Sequence, residues 1–335
     1  MNFNIFKVLE KDNKELIHSS FFKFLLENDN HFHNDFLQVS ISGKSIPKLE
    51  KSYTLHKKKY RFDLEIIEEN QIIIVENKFK SFPNHKQLTD YDSILNHFYP
   101  NHAQLKFIFC FDKSLFKNYG NWIAKDYGEL LLYLKLYIIK VDDNEKKIFI
   151  DHYITFLEEY ILSYNNHAKD CRKVFFNQSD NDNKFWIRLL YANLKIHLDR
   201  YFELANIDAT VYVSQGNTSI PLINIEPKSW HVHGKHLLIQ LQNGELKFYA
   251  HTKDKLFLQD LINFSKTNMN NEYLSFKKLT ISEKNKTSYI FKLNIHSYLS
   301  ETELYNIEFL KSTLIQFYDK INSKIINNYV PVLDE

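Results

Sequence analysis

Residues 60–91, YRFDLEIIEENQIIIVENKFKSFPNHKQLTDY, decide how the N-terminal half of this chain is interpreted. Two apolar runs, residues 62–67 and 71–78, predict short strands, and the polar residues 68–70 between them predict a tight turn. A Ser, Pro and Asn break follows the second run, and a helix is expected from about Asn84. The stretch therefore predicts a β-hairpin that leads into a helix.

The second strand of this hairpin ends in polar and charged residues. Residues 72–75 are β-branched without interruption, which is typical of a strand covered on both faces, and Glu76, Asn77 and Lys78 follow them. Alternate side chains share a face, so we expect Glu76 and Lys78 on one side and Asn77 on the other. Antiparallel pairing brings Asp63 within a residue or two of Glu76. The sequence predicts two carboxylates and an ammonium at one strand end.

This group of side chains has a chemical use. Two neighbouring carboxylates repel each other, and a divalent cation removes that repulsion. Mg²⁺ prefers hard oxygen ligands and is commonly held by one or two carboxylates together with a phosphate. Such an ion lowers the pKa of a coordinated water and neutralises charge on a phosphoryl oxygen, while Lys78 can position the water. With Mg²⁺ or Mn²⁺ as cofactor, these groups are the minimum for hydrolysing a phosphodiester.

Asp63 followed by Glu76-Asn77-Lys78 resembles the PD-(D/E)XK nuclease superfamily, with Asp63 as the lone acid and Glu76 and Lys78 as the paired motif. Gln87 and Tyr91, one helical turn apart, are similar to the QxxxY element of many bacterial members. One residue departs from the pattern. The P in the name of the superfamily is a proline directly before the lone acid, and this chain has Phe62 in that position. The resemblance covers roughly residues 8–140.

The first helix carries a further match. Glu15-Leu-Ile-His18-Ser19 is similar to the first-helix signature of one bacterial branch of the superfamily, in which the helix acid joins the metal site. His18 itself is expected to be a partly buried, hydrogen-bonded residue more often than a metal ligand.

The resemblance implies an α/β (α+β) fold with a restriction-endonuclease-like core, in which helices flank a mixed central sheet. The catalytic residues it implies are Asp63, Glu76, Lys78, Gln87 and Tyr91. The metal ligands it implies are Glu15, Asp63, Glu76 and Asn77. The implied activity is Mg²⁺-dependent hydrolysis of DNA in restriction or phage defence. DNA is the expected partner, and an ATPase or a second copy of the chain is a candidate protein partner.

Two other interpretations stay open. A strand that ends in Glu and Lys is often a solvated edge with a surface ion pair, so the motif could be accidental in a structural α/β protein. A nuclease fold can also persist as a catalytically silent binding or scaffolding module, although intact Asp63, Glu76 and Lys78 argue against this. Binding of Mg²⁺ or Mn²⁺, and its loss in Asp63→Ala, separates these interpretations from a nuclease.

Composition bounds the charge of any DNA-binding surface. The 335 residues include 43 basic and 41 acidic side chains, a formal charge of only +2, so a DNA-binding face must be local. The candidates lie around the hairpin and are Lys57, Lys58, Lys59, Arg61, Lys80 and Lys86. A solvated strand edge that discourages aggregation is the alternative interpretation of the same lysines.

Cysteine and hydropathy patterns indicate the compartment. Cys110 and Cys171 are too few for a disulfide framework, and Cys110 lies in an apolar run that predicts burial. No apolar window approaches transmembrane length, and the N-terminal residues have no signal-peptide layout. We therefore expect a cytoplasmic protein without a membrane partner.

The chain is expected to divide into a nuclease-like domain at residues 1–165, a polar linker at 166–183 and an α+β accessory domain of unknown role at 184–335. For the first domain, helices are predicted at 6–27, 86–98, 127–137 and 148–164, and further strands at 105–111 and 122–125, with Asp126 as a helix N-cap. For the second, helices are predicted at 185–205 and 301–326, and strands at 209–214, 222–225, 235–241, 246–250, 276–281 and 288–295. Gln242-Asn243-Gly244 predicts a hairpin turn.

Three histidines of the second domain invite a metal-site interpretation. His231 and His233 alternate along a strand and therefore share a face, and His236 is close in sequence. Because no acid or cysteine accompanies them closely in the sequence, an exposed polar strand edge is the preferred interpretation.

Overall fold

The computed structural model describes residues 4–8, 15–28, 31–42, 45–79, 85–113, 120–172, 181–213, 220–232, 234–269, 274–278, 287–295 and 305–329. The chain divides into two compact units, Met1–Ser163 and Tyr164–Glu335. Both units contain helices and strands. Within the described residues, no helix combines the length and the apolar character needed to cross a bilayer.

The first unit is built on a mixed five-stranded sheet. Its strands lie side by side in chain order and are β1 (Lys48–Leu55), β2 (Lys58–Ile67), β3 (Gln71–Lys78), β4 (Ala103–Cys110) and β5 (Trp122–Asp126). β2 pairs antiparallel with both β1 and β3, whereas β4 pairs parallel with both β3 and β5. A mixed central sheet flanked by helices is therefore confirmed, and β3 has the predicted bounds. β1 was not predicted.

The helices of the first unit are α1 (Ile5–Val8), α2 (Glu15–Asn28), a π-helix (Phe32–Leu37), α3 (His85–Phe98), α4 (Tyr127–Tyr137), a short 3₁₀ helix (Ile138–Lys140) and most of α5 (Asn144–Lys169), which continues into the second unit after Ser163. α3 is the crossover between the parallel strands β3 and β4, as parallel pairing requires. α4 has the predicted bounds. It begins at the predicted cap, where the Asp126 side chain accepts a hydrogen bond from the Glu129 N–H and the Glu129 side chain accepts one from the Asp126 N–H.

The uninterrupted apolar run of β3 is explained by burial on both faces. Residues 72–75 are all essentially inaccessible to solvent. On one face Ile72 and Ile74 pack in a cluster with Leu88 and Ile94 of α3. The other face of the sheet is covered by α2, and α2 in turn packs on α5, where the rings of Phe21 and Tyr153 are stacked at 3.6 Å. The sheet is thus the middle layer, and its central strand β3 is covered on both faces.

The second unit contains a seven-stranded antiparallel sheet with the order β11-β12-β10-β9-β7-β6 and with β8 paired to β9. Its strands are β6 (Ala209–Val213), β7 (Leu222–Pro227), β8 (His231–Val232), β9 (Lys235–Gln242), β10 (Glu245–His251), β11 (Leu274–Phe276) and β12 (Thr287–Asn294). Its helices are α6 (Asn181–Leu204), a 3₁₀ helix (Lys228–Trp230), α7 (Lys255–Asn268), α8 (Ile307–Ile321) and a π-helix (Asn322–Ile326). The predicted turn between β9 and β10 is confirmed, since Asn243 and Gly244 both have positive φ.

Three parts of the second half differ from expectation. The linker predicted at 166–183 is wrong at both ends, because α5 continues to Lys169 and α6 begins at Asn181. Residues 166–169 form the last turn of α5, and residues 173–180 of the predicted linker lie outside the described part. α7 was not predicted. The strand in the region predicted at 276–281 is β11 (Leu274–Phe276), which shares only Phe276 with the prediction; residues 277 and 278 are not in a strand, and residues 279–281 lie outside the described part. The predicted start of the last helix, at 301–304, also lies outside it.

The cap at Asp126 provides a test of this local structure. Asp126→Ala removes the acceptor for the Glu129 N–H, so we expect the free energy of unfolding to fall by about 1 kcal/mol in urea denaturation. Asp126→Asn keeps an acceptor oxygen and should stay within about 0.5 kcal/mol of the wild type. Equal losses in the two variants would contradict the capping role.

Candidate active site

Hydrogen bonds from the described residues hold the carboxyl group of Glu76 through one of its two oxygens. Its Oε1 accepts hydrogen bonds from Lys78 Nζ at 2.6 Å and from Gln87 Nε2 at 2.9 Å. Among the residues that the structure describes, none donates a hydrogen bond to Oε2, although Glu76 is only 1% exposed. A buried oxygen without a donor is costly in a native protein. The arrangement fixes the carboxyl group and leaves one oxygen for a ligand.

Asp63 lies beside this group. In the antiparallel ladder Leu64 pairs with Val75, which places Asp63 next to Glu76, as the hairpin register predicted. Asp63 Oδ2 accepts a hydrogen bond from the main-chain N–H of Asn77 at 2.8 Å. Asp63 and Glu76 both line one open cleft of about 520 Å³. The two carboxyl groups therefore face the same space at the end of the hairpin.

The side chain of Asn77 does not belong to this cleft. Its Nδ2 donates to Ser19 Oγ at 2.6 Å, its Oδ1 accepts from Tyr127 Oη at 3.3 Å, and it is fully buried. Strand alternation requires this, because the neighbours of Asn77 on both sides, Glu76 and Lys78, point into the cleft. The prediction of Asn77 as a metal ligand is therefore wrong for its side chain.

The bond between Asn77 and Ser19 places Glu15 at the site. Ser19 Oγ also donates to the main-chain oxygen of Glu15, and Glu15 is the first residue of α2. Its side chain lines the same cleft as Asp63 and Glu76. Sequence reasoning gave Ser19 no role, although it is part of the quoted first-helix signature. Its hydroxyl attaches α2 to the far face of β3, which sets the position of Glu15.

His18, also part of that signature, lies in the core. It is fully buried, its Nδ1 is 2.7 Å from Tyr153 Oη, and its ring stacks on Phe79 at 3.7 Å. The expectation of a buried, hydrogen-bonded histidine is confirmed.

Gln87 and Tyr91 share the cleft-facing side of α3, as their spacing predicted. Gln87 Nε2 donates to Tyr91 Oη at 2.8 Å in addition to Glu76, and Tyr91 Oη donates to the main-chain oxygen of Arg61 at 2.7 Å. Tyr91 is also a core residue whose ring packs edge-on against Phe62. These bonds connect α3 to β2 and hold the Gln87 amide against Glu76.

Basic side chains surround the open side of the cleft. Lys58, Lys59, Arg61 and Lys86 line it, and we call these four residues the basic rim. Two of them are positioned by acids that the sequence did not single out, since Lys58 pairs with Asp90 at 2.7 Å and Arg61 pairs with Glu50 at 3.1 Å. Lys80, also predicted as a DNA contact, lies outside the described residues.

Burial shifts the ionisation of the carboxyl groups strongly. Burial raises the pKa of Glu76 to about 8, and the neighbouring Asp63 adds to the effect although Lys78 opposes it. Burial likewise raises the pKa of Asp63 to about 6, against the opposing effects of Lys78 and the Asn77 N–H. Burial acts to lower the pKa of Lys78, but the effect of the acids Glu76, Glu15 and Asp63 is larger, so the pKa of Lys78 is raised. The cleft carries more buried acid than Lys78 alone neutralises.

Comparison with known proteins adds no relative, since no protein-family model, curated protein or solved structure matched the chain. The interpretation of the cleft therefore depends on its geometry and on the chemistry of its residues.

The raised pKa of Asp63 predicts a stabilising substitution. A carboxyl group whose pKa is higher in the folded state makes stability fall as pH rises from about 4 to about 6, and the loss is complete above that range. Asp63→Asn removes this loss of stability and can keep the hydrogen bond that the Asn77 N–H donates. At pH 7.5 and with a metal chelator present, we expect the free energy of unfolding of the variant to exceed that of the wild type by on the order of 1–2 kcal/mol.

Urea denaturation at pH 3.8 and pH 7.5 checks this expectation. The difference between Asp63→Asn and wild type should shrink at the lower pH, where Asp63 is protonated in the folded state and about half protonated in the unfolded state. Asp151→Asn, at an exposed aspartate of α5, is the matched control and should change stability by less than about 0.5 kcal/mol at both pH values. A variant that is less stable than wild type at pH 7.5 would contradict the pKa shift.

Proposed function

We propose that this chain is a metal-dependent nuclease of the PD-(D/E)XK type, with a restriction-endonuclease-like core, that hydrolyses phosphodiester bonds in DNA. The observation that carries the proposal is the buried carboxyl group of Glu76 beside the half-buried Asp63, with one Glu76 oxygen held by Lys78 and Gln87 and the other left without a donor in the described structure. A buried carboxyl oxygen without a donor, in a cleft that a second carboxyl group also lines, suits a bound cation.

The donor set suits Mg²⁺ or Mn²⁺. Asp63 and Glu76 would hold the ion, and Glu15 lines the same cleft as a third source of carboxylate oxygen. All three are hard oxygen ligands, and an open cleft leaves room for the waters that Mg²⁺ retains. Removal of protons from Glu76 and Asp63 would accompany binding, so affinity should rise with pH through the range of their raised pKa values.

When bound, the ion supplies Lewis-acid chemistry, since it polarises a phosphoryl oxygen and lowers the pKa of water. The residues of the chain orient the reactants around it. Lys78, only 7% exposed and directed to the same side of β3 as Glu76, is placed to steer the attacking water and to offset negative charge that develops on the phosphoryl oxygens. Gln87 lies on α3 and donates a hydrogen bond to the Glu76 carboxyl group. This bond maintains the direction of the second oxygen of Glu76.

The basic rim supports DNA as the substrate. Lys58, Lys59, Arg61 and Lys86 line the mouth of the same cleft, whereas the whole chain carries a charge of only +2. A local group of cations beside buried acids suits a phosphate backbone whose scissile bond enters the cleft. Restriction or phage defence, and an ATPase or a second copy as partner, belong to the same proposal.

The alternative function is a catalytically silent module that binds nucleic acid through the basic rim. It predicts DNA binding that does not depend on a divalent cation and no cleavage under any metal condition. The purified chain, incubated with plasmid and linear DNA in Mg²⁺, in Mn²⁺ and in a chelator, distinguishes the two functions.

Substitution of Lys78 provides the sharpest test of the nuclease. We expect Lys78→Ala to lower the cleavage rate by roughly 100- to 10,000-fold, the usual effect of losing a positioned acid–base group, while the carboxylate ligands remain. Metal-dependent cleavage of labelled linear DNA under single-turnover conditions measures the rate.

Lys106→Ala is the matched control. Lys106 is also a buried lysine with a carboxylate partner, Asp92 at 2.7 Å, but it lies on β4 opposite Ile74 and does not line the cleft. This variant should cleave at nearly the wild-type rate if it folds, which circular dichroism checks. If Lys78→Ala cleaves as fast as Lys106→Ala, Lys78 has no catalytic role.

A further inference from the structure

A second group of metal-binding side chains lies in the second unit. Glu226 is near the end of β7, His231 begins β8 and His236 is in β9. His231 and His236 are paired directly across the β8–β9 ladder, so their side chains share a face, and their rings lie 4.2 Å apart. The 3₁₀ helix Lys228–Trp230 returns the chain from β7 to β8, which brings Glu226 to the same face.

The carboxyl group of Glu226 joins the two rings. Its Oε1 is 3.0 Å from His231 Nε2 and 2.6 Å from His236 Nδ1. This corrects the expectation that no acid accompanies these histidines closely, because the structure shows an acid in contact with both. His233, the third residue of the sequence pattern, lies outside the described residues.

The geometry is close to that of a zinc site. One atom from each residue lies within 4.8 Å of the other two. Ligands at about 2.0–2.2 Å around a tetrahedral ion are about 3.3 Å apart, so small side-chain rotations are enough to place all three around one ion. The histidine side chains are 34% and 48% exposed, whereas Glu226 is 18% exposed. An ion and a fourth ligand from solvent can therefore reach the group.

The ligand types identify the class of ion. Two imidazole nitrogens and one carboxylate oxygen suit Zn²⁺ and similar divalent transition metals, whereas Mg²⁺ prefers oxygen ligands. The cleft of the first unit has the opposite character, because its candidate ligands are all carboxylates. The two groups should therefore select different ions.

We propose that Glu226 Oε1, His231 Nε2 and His236 Nδ1 bind one Zn²⁺-class ion, which ties the end of β7 to the β8–β9 hairpin. This site is independent of the nuclease activity proposed above. In the absence of an ion, the same atoms form hydrogen bonds, with both rings directed at one carboxylate oxygen. Binding replaces these hydrogen bonds with three bonds to the ion, which link β7, β8 and β9 to one another.

The test is a Zn²⁺ titration of the full chain in competition with a chromophoric chelator. The protein carries Glu76→Gln, so that the carboxylate cleft contributes as little as possible. We expect one Zn²⁺ per chain, unaffected by millimolar Mg²⁺. His236→Ala and Glu226→Gln should each weaken binding by at least about 100-fold, since each removes a direct ligand. Circular dichroism of the metal-free variants establishes that they are folded.

His197→Ala is the matched control. His197 is another half-exposed histidine of this unit and lies 3.8 Å from the carboxylate of Glu308, but this pair contains one histidine rather than two. The variant should bind Zn²⁺ as the parent protein does. Binding that is absent in the parent protein, or equally strong in His236→Ala and His197→Ala, would show that Glu226, His231 and His236 form only a hydrogen-bonded surface cluster. Because every protein in this titration carries Glu76→Gln, the outcome does not depend on whether the cleft cleaves DNA.

Discussion

The structure of the first unit depends on how the carboxyl group of Glu76 is held. Lys78 and Gln87 donate to the same oxygen, so the group has a fixed direction, and its other, buried oxygen has no donor among the described residues. Burial raises the pKa of Glu76 and of Asp63, and the neighbouring Asp63 raises the pKa of Glu76 further. Natural proteins retain such costs mainly where the groups bind or react with something.

Strand alternation turns this local constraint into the layout of the whole unit. Glu76 and Lys78 face the cleft, so Asn77 between them must face the opposite side of the sheet. There its amide bonds to Ser19, and this attaches α2 to the sheet with Glu15 at the cleft. One tripeptide therefore determines both the polar side of the site and the position of the helix that completes it.

The sequence predicted those features that depend on neighbouring residues. The bounds of β3 and the Asp126 cap followed from local patterns, because a β-branched run and a helix cap have strong local signals. β1 was missed since its charged, half-exposed residues lack an apolar run. Ser19 with Asn77, and Glu226 with its histidines, were missed because those contacts form only when distant or turned-back segments meet. No local pattern reports such contacts.

The central claim is that Asp63 and Glu76 form one divalent-cation site. Anomalous diffraction from crystals of the protein soaked in Mn²⁺ at pH 8 tests it most directly, because the scattering locates the ion without any assumption about activity. We predict a Mn²⁺ peak in the cleft within about 2.5 Å of a carboxylate oxygen of both Asp63 and Glu76. An ion bound elsewhere, with these two carboxyl groups left uncoordinated at saturating Mn²⁺, would contradict the account.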